Sequence, residues 1–426
     1  MPHAIIIGAS HAAAQACVSL RQTGWEGEIT VIGDEKDLPY HRPPLSKDFL
    51  SGQKNIDEIL IRPADAYAKA NVTFKLGTRV TGINASEKTI ATDKDGEMRY
   101  DKLILATGAR VRKLPIPGAD SDNVFYLRDT KDVLAIKAQV ANGKKAVIIG
   151  GGYIGLETAA SLTKQGMQVT VLEAMDRILQ RVTAPVMSNF YKRVHLEEGV
   201  NIVENEMASD IISDGSLRVK TIAGNDYPAD IIIIGIGVIP NTELADTAGL
   251  EVGNGIIVNE FCQTSDPDIY ACGDVTWHYN PIYDTHLRLE SVPNATEQAK
   301  VAAAHINGKG KAYNSLPWFW SDQFDLKLQI AGLFQDYDDI VLRGSPTGGR
   351  SFAAFYFKGD KLLAVDAVNA PREFMMARMA LTKGKTLDKA GLPIRILTLN
   401  LRCHNWSVCR ALGISHLIYM SLLYRK

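Results

Sequence analysis

Ala146-Val147-Ile148-Ile149-Gly150-Gly151-Gly152-Tyr153-Ile154-Gly155 is the stretch on which the fold turns. Its apolar residues read as a buried parallel strand, its glycines as a turn, and the residues that follow as a helix. Gly150, Gly152 and Gly155 complete a G-x-G-x-x-G. Glycines at those places permit a tight turn, let backbone approach a pyrophosphate and bring helix close to strand, so that the helix start at Tyr153 and Ile154 faces the phosphates. The next predicted strand, Gln168 to Leu172, ends at Glu173, about twenty residues on, where a carboxylate can accept both ribose hydroxyls of NAD. A 2′-phosphate would be repelled there. Ala174 and Met175 offer no cation to receive one and Arg177 is the nearest, which favours NADH over NADPH.

Working back toward the N-terminus, Ala4-Ile5-Ile6-Ile7 is again a strand, and Gly8-Ala9-Ser10-His11-Ala12-Ala13 is a degenerate copy of the same turn, with Ser10 and Ala13 replacing two glycines. An acid again arrives on schedule: Ile29 to Gly33 leads into Asp34 and Glu35. Two such fingerprints imply two nucleotide cofactors held at once, the arrangement of a flavoprotein fed by a nicotinamide.

At 426 residues the chain is too long for one core and fits two or three domains. With 46% hydrophobic and 22% charged residues it reads as soluble and globular, and a net charge of −1 advertises neither nucleic acid nor a membrane. The N-terminus enters a strand within four residues, without a basic segment or an apolar run long enough for export, which favours the cytoplasm. Cys17, Cys262, Cys272, Cys403 and Cys409 include no C-x-x-C, suit a reducing compartment and show no zinc-ligand spacing, so no metal is expected.

Strand and helix patterns alternate to a buried strand at Lys102 to Leu105 that ends in the small-residue turn Ala106-Thr107-Gly108-Ala109, which lets backbone approach a cofactor. After the Pro-rich linker Leu114 to Gly118, a second unit runs to Ile231 to Ile234 and Gly235-Ile236-Gly237. The two units share a plan, a duplication at domain scale. From about residue 246 the features return to the first nucleotide site. A third region opens at Pro317-Trp318-Phe319-Trp320-Ser321-Asp322-Gln323, alternates in β fashion (Lys327 to Ala331, Phe352 to Phe357, Lys361 to Val365) and ends in a helix near Ala370 to Thr382. Trp318 and Trp320 would share one face of a strand. The organisation expected is a discontinuous FAD-binding domain (1–111 and 246–317), an NAD-binding domain (112–245) and a C-terminal α+β domain (318–426) with an atypical tail from about 393.

Together these residues resemble the ferredoxin reductases of bacterial ring-hydroxylating dioxygenase and cytochrome P450 systems, FAD-containing and NADH-oxidising members of the glutathione-reductase-like superfamily. The match is specific at Tyr40-His41-Arg42-Pro43-Pro44-Leu45-Ser46-Lys47, Gly150 to Glu157, Gly235 to Val238, Ala271-Cys272-Gly273-Asp274-Val275 and Pro317 to Gln323, and it spans roughly residues 1 to 392. It implies an α/β protein with two Rossmann-like dinucleotide-binding domains and a C-terminal α+β domain, in which hydride passes from NADH to FAD N5 and single electrons leave for a [2Fe-2S] ferredoxin feeding an oxygenase. It also implies the roles of particular residues. Lys47 sits beside flavin N5 paired with Glu157, where a cation stabilises the electron-rich reduced ring. Trp320 packs over the flavin. Asp274 bonds the ribityl chain, Val292 places backbone near the pyrimidine edge, and Arg128 and Val80 contact the adenine half. Gly8, Ser10, His11, Ala12, Asp34, Glu35, Arg42, Thr107 and Gly108 complete the FAD set. Gly150, Gly152, Tyr153, Ile154, Gly155, Glu173, Gly235, Ile236 and Gly237 form the NAD set.

Disulfide reductases of this superfamily carry reactive cysteines on the helix after the first acid, but Arg42 to Leu50 holds none, and Cys17 reads as inert core. Electrons then leave through the flavin edge to another molecule. A rubredoxin reductase is the nearest enzymatic alternative, and an NADH-responsive binding protein resembling apoptosis-inducing factor is one of another class. Monomer and homodimer both stay open. Residues 393–426, without Asp or Glu, are expected to contribute little to catalysis, and their apolar stretch Leu417 to Tyr424 is too short to span a bilayer.

Overall fold

The computed structural model describes residues 1–392; the expectations for the tail lie outside the described residues. Five parallel strands form the first sheet, in the order Ile269–Ala271, Lys102–Leu105, His3–Ile7, Glu28–Gly33, Thr73–Leu76. A second parallel sheet repeats the plan as Val124–Tyr126, Ile231–Ile234, Lys145–Ile149, Gln168–Leu172, Asn201–Val203. Each central strand feeds a glycine turn and a helix, His11–Thr23 in one and Tyr153–Lys164 in the other. Each sheet also receives a three-stranded antiparallel insertion before its return strand: Val80–Asn84, Thr89–Thr92 and Gly96–Arg99, then Ala208–Ser213, Leu217–Thr221 and Asp226–Ala229. Runs such as Ile231–Ile234 suit this setting because a parallel strand is covered on both faces and needs no polar side.

The duplication breaks at one edge. Val124–Tyr126 precedes its sheet in the chain, whereas Ile269–Ala271 reaches the first sheet from beyond the second. The segments leaving the two return strands, Ala109–Val111 and Val238–Pro240, pair antiparallel and tie the sheets together. Helix Val292–Ile306 then packs on His11–Thr23 through Ala13, Ala16, Ala299, Ala302 and Ala303, small side chains that let the two helices approach and bring Val292 to the fingerprint turn.

The C-terminal region is an antiparallel sheet ordered Trp318–Gln323, Leu326–Gly332, Lys361–Val368, Phe352–Lys358, Asp339–Gly344, backed by helix Pro371–Thr382. The edge strand Asp339–Gly344 is absent from the sequence reading, since its apolar run Ile340-Val341-Leu342 is too short to signal one. Phe352 to Phe357 is a strand as expected, but its residues are apolar throughout and its two faces enter two cores rather than core and water. Phe352, Ala354 and Tyr356 pack toward helix Pro185–Glu197, where the rings of Phe352 and Phe190 stand 4.8 Å apart. Ala353, Phe355 and Phe357 face Phe374 and Ala377. Among the described residues no helix is long and apolar enough to cross a membrane.

Candidate functional site

Both fingerprint turns obey one constraint. Gly8 lies at φ +105° and Gly150 at φ +113°, and a Cβ would stand 2.1 Å from the Ala106 carbonyl oxygen in the first case and 2.4 Å from that of Gly235 in the second. Neither position admits a side chain. The departure at Ser10 is different in kind. Its counterpart Gly152 is extended, and a Cβ there would meet nothing within 4 Å, so Ser10 carries its side chain without strain. The Ser10 hydroxyl accepts from Arg42 Nε at 3.2 Å. Neither fingerprint helix has a side-chain cap, whereas Thr130–Lys137 and Val292–Ile306 are capped by Asp129 and Ser291. The uncapped N–H groups and the helix dipole are left for an anion.

A cavity of ≈ 1030 Å³ opens at the first turn. Gly8, Ser10, His11, Ala12, Asp34, Glu35, Arg42, Lys47, Thr107 and Gly108 line it from the first sheet's side and Arg128 from the segment after the second sheet's edge strand Val124–Tyr126, with Asp274 and Val292 arriving from the returning chain. Tyr153, Ile154 and Glu157 from the second fingerprint helix and Trp320 from the C-terminal sheet close it. Val80 is not on this wall; it is buried in the core with Ile32 and Ile90, while its neighbour Arg79 pairs with Asp34 at 3.0 Å.

The wall is polar where a dinucleotide would need it. Arg42 bonds Glu35 and donates to the Arg128 carbonyl oxygen at 2.7 Å, Tyr40 also bonds Glu35, and Arg128 stands 3.5 Å from Asp274. His11 is buried, and among the described residues its Nε2 has no partner. Burial first, then His41, Arg42 and Arg128, pull its imidazolium down to about 3, so it is neutral at ordinary pH. An orphaned nitrogen, two guanidiniums, an uncapped helix and a glycine cradle fit FAD.

Gly150, Gly152, Gly155, Glu173, Gly235, Ile236 and Gly237 gather outside this cavity, at the second sheet. Glu173 Oε2 accepts from Gly151 N at 2.8 Å and Oε1 from Met175 N at 2.9 Å, so the fold anchors the carboxylate on the turn itself. Arg177 is committed elsewhere, to Ser188 Oγ at 2.6 Å and to the carbonyl oxygens of Thr183 at 2.9 Å and Gln180 at 3.0 Å.

Lys47 and Glu157, 110 positions apart, form an ion pair at 2.7 Å. In the sequence, Lys47 after Leu45-Ser46 looks like the start of a helix, but it does not open one. It follows a single 3₁₀ turn, Pro43–Ser46, beyond which the backbone leaves helical geometry, and Nζ folds back to the Pro43 carbonyl oxygen at 3.1 Å. Glu157 accepts two further bonds, Ser46 Oγ on Oε2 and Ser321 Oγ on Oε1, each at 2.6 Å. Sequence reasoning missed both serines; the signal was their adjacency to Lys47 and Trp320.

Trp318 and Trp320 share a strand face with centroids 5.5 Å apart, yet only Trp320 reaches the cavity. Trp318 packs on Phe374, under the Arg378 guanidinium at 4.9 Å. Cys17 is fully buried, and burial pushes its thiol up to about 11. Cys272, part of the Ala271 to Val275 motif, lies on the cavity wall but is buried. Among the described residues no group of His, Cys, Asp and Glu side chains is placed to hold a metal. The site can hold two nucleotides and set a cation against a ring, and among the described residues the thiol on its wall, Cys272, is buried.

Residues 2–299 match the pyridine nucleotide-disulphide oxidoreductase family, and residues 318–393 match a reductase C-terminal domain. The chain is similar to putidaredoxin reductase of Pseudomonas putida, 43% identical over 89% of this chain and 91% of that one. It is also similar to the 5,5'-dehydrodivanillate O-demethylase ferredoxin reductase subunit of a Sphingobium strain, 40% identical over 93% and 99%. The solved covalent complex of putidaredoxin reductase with putidaredoxin contains a chain of the same fold, with TM-score 0.90, 41% identity, and 94% and 97% covered. The chain therefore belongs to the pyridine nucleotide-disulphide oxidoreductase family and, within it, to the FAD-dependent, NADH-oxidising ferredoxin reductases of oxygenase systems.

Proposed function

We propose that the chain is the NADH:ferredoxin reductase of a bacterial oxygenase system, working in the cytoplasm with a [2Fe-2S] ferredoxin as its electron acceptor. The observation that carries this reading is the Lys47–Glu157 pair at the wall of a cavity that a glycine cradle and an uncapped helix open to a dinucleotide, with a second fingerprint alongside. Bound FAD supplies the conversion between two-electron and one-electron transfer that no side chain can perform.

The chain's own residues do the rest. Arg42 and the first helix N-terminus receive the pyrophosphate, Arg128 the adenine half, Glu35 the adenosine ribose, and Asp274 and the Val292 backbone the far end. Lys47 presents its ammonium to the ring and Trp320 covers it. Glu173 selects a nucleotide with a free ribose 2′-hydroxyl, and the turn Gly150 to Gly155 receives its phosphates. With no thiol between Arg42 and Leu50, electrons leave to a separate protein.

The test is a steady-state assay on the purified yellow protein: cytochrome c reduction by NADH, with and without added [2Fe-2S] ferredoxins. Fast reduction only when a ferredoxin is present supports the reading. Equal rates with rubredoxin alone, or none with any acceptor, would sink it.

A further inference from the structure

Three separate stretches of chain converge on one carboxylate. Glu157 projects from the second fingerprint helix, Ser46 and Lys47 come from the first nucleotide-binding unit, and Ser321 comes from the first strand of the C-terminal sheet. Glu157 is 6% exposed, Ser46 4% and Ser321 0%. Few waters can replace a lost bond there. The donors are divided between the oxygens: among the described residues Oε2 takes Lys47 and Ser46, and Oε1 takes Ser321 alone. The chain continues outward. Gln323 Nε2 donates to Ser321 Oγ at 3.1 Å, and Gln323 Oε1 lies 2.8 Å from His195 Nε2, on the helix Pro185–Glu197. Gln323 is 1% exposed and His195 0%.

Gln323, held by His195, occupies one side of the Ser321 hydroxyl, so its proton has one strong acceptor, Glu157. A carboxylate is free to turn about its last torsion unless both oxygens are engaged. Without Ser321, nothing fixes Oε1, and the plane that aims Oε2 at Lys47 is released. A charge-assisted bond in a dry site is also among the stronger ones available.

We propose that Ser321 is a positioning residue for the Lys47–Glu157 pair: through it the C-terminal sheet, locked by Gln323 and His195, sets where the Lys47 ammonium stands and thereby tunes the redox potential and reducibility of the bound flavin. The proposal rests on the flavin reading above. It gives the C-terminal domain a part in tuning the cofactor besides covering it.

The experiment uses the full-length holoprotein carrying Ser321→Ala, Ser321→Thr or Gln323→Leu. Flavin content is read from absorbance, the midpoint potential by equilibration with reference dyes, and the limiting rate and NADH dependence of flavin reduction by stopped flow. For Ser321→Ala we expect unchanged flavin content, unchanged half-saturation by NADH, a displaced potential and a limiting rate lower by on the order of tenfold. Ser321→Thr, which returns the hydroxyl on a β-branched side chain suited to a strand, should restore both values. Gln323→Leu should move them in the same direction by less, and it serves as the test should Ser321→Ala fail to fold. An unmoved potential and rate in Ser321→Ala overturn the proposal, as does Ser321→Thr behaving like Ser321→Ala. Wild-type protein that binds no flavin would instead overturn the reading beneath it.

Discussion

Replacing Asp366 by Asn is expected to strengthen the protein at neutral pH and to strip a pH dependence from its stability. Asp366 lies on the strand Lys361–Val368, 2% exposed, and its Oδ2 accepts from Tyr356 Oη at 2.6 Å and from Thr183 Oγ1. Thr183 stands just before helix Pro185–Glu197, so the carboxyl occupies the seam between the C-terminal sheet and the second nucleotide-binding unit. Burial pushes it from 3.8 up to about 6, against the pull of the two hydroxyl donors. The folded value is the higher one, so this group's contribution to stability is fully present below pH 3.8 and is lost as pH rises through 6. At 1.36 kcal/mol per pH unit the whole loss is about 3 kcal/mol. Asn keeps an oxygen for the two hydroxyls and cannot ionise, but it adds an N–H donor in a dry seam, which costs about 1–2 kcal/mol. The net gain expected at pH 7.5 is therefore about 1–2 kcal/mol. Urea unfolding of wild-type and Asp366→Asn holoprotein at pH 7.5 and pH 5.0 checks this, because the difference between the two proteins cancels every other titrating group. The gap should shrink by roughly 1.4 kcal/mol at the lower pH. A gap of the same size at both values would refute the reasoning.

Glu173→Gln combined with Ala174→Arg should raise kcat/KM for NADPH relative to NADH by about 10- to 100-fold, since it removes a carboxylate and supplies the cation that Arg177 cannot; wild-type protein that already uses both nucleotides equally would defeat the assignment. Lys47→Met should slow flavin reduction in stopped flow and lower the flavin potential while leaving FAD bound, and an unchanged rate would count against placing the ammonium at the ring. Gly152→Ser should fold with wild-type stability, because no protein atom stands within 4 Å of that position, but bind NADH more weakly, because the glycine there lets backbone approach the pyrophosphate, whereas Gly150→Ala should be destabilised or fail to fold; equal stability of the two variants in urea unfolding would contradict the turn geometry.

Much of this protein is written locally. Gly8 and Gly150 are legible because each sits where positive φ and a neighbouring carbonyl leave no room for a side chain, a constraint of the turn alone. Glu173 is legible for a similar reason: the strand Gln168–Leu172 brings its carboxylate to the backbone of the same turn within a single βαβ unit. The run Ile231–Ile234 declares a strand covered on both faces through composition. Phe352 to Phe357, apolar at every position, likewise declares a strand covered on both faces, but it cannot say what covers them, since one cover is Phe190, arriving from a helix some 160 positions earlier.

Only the tertiary structure decided which candidates meet. It set Trp320 on the cavity wall and Trp318 against Phe374, though alternation treats the two alike. It left Val80 in the core and committed Arg177 to Ser188 and two carbonyls. It also brought Ser46 and Ser321 onto Glu157, with Gln323 and His195 behind them. Serine, glutamine and histidine carry no periodic signal, and a hydrogen bond between residues more than a hundred positions apart depends on the relative placement of whole domains, which packing determines and local sequence does not encode.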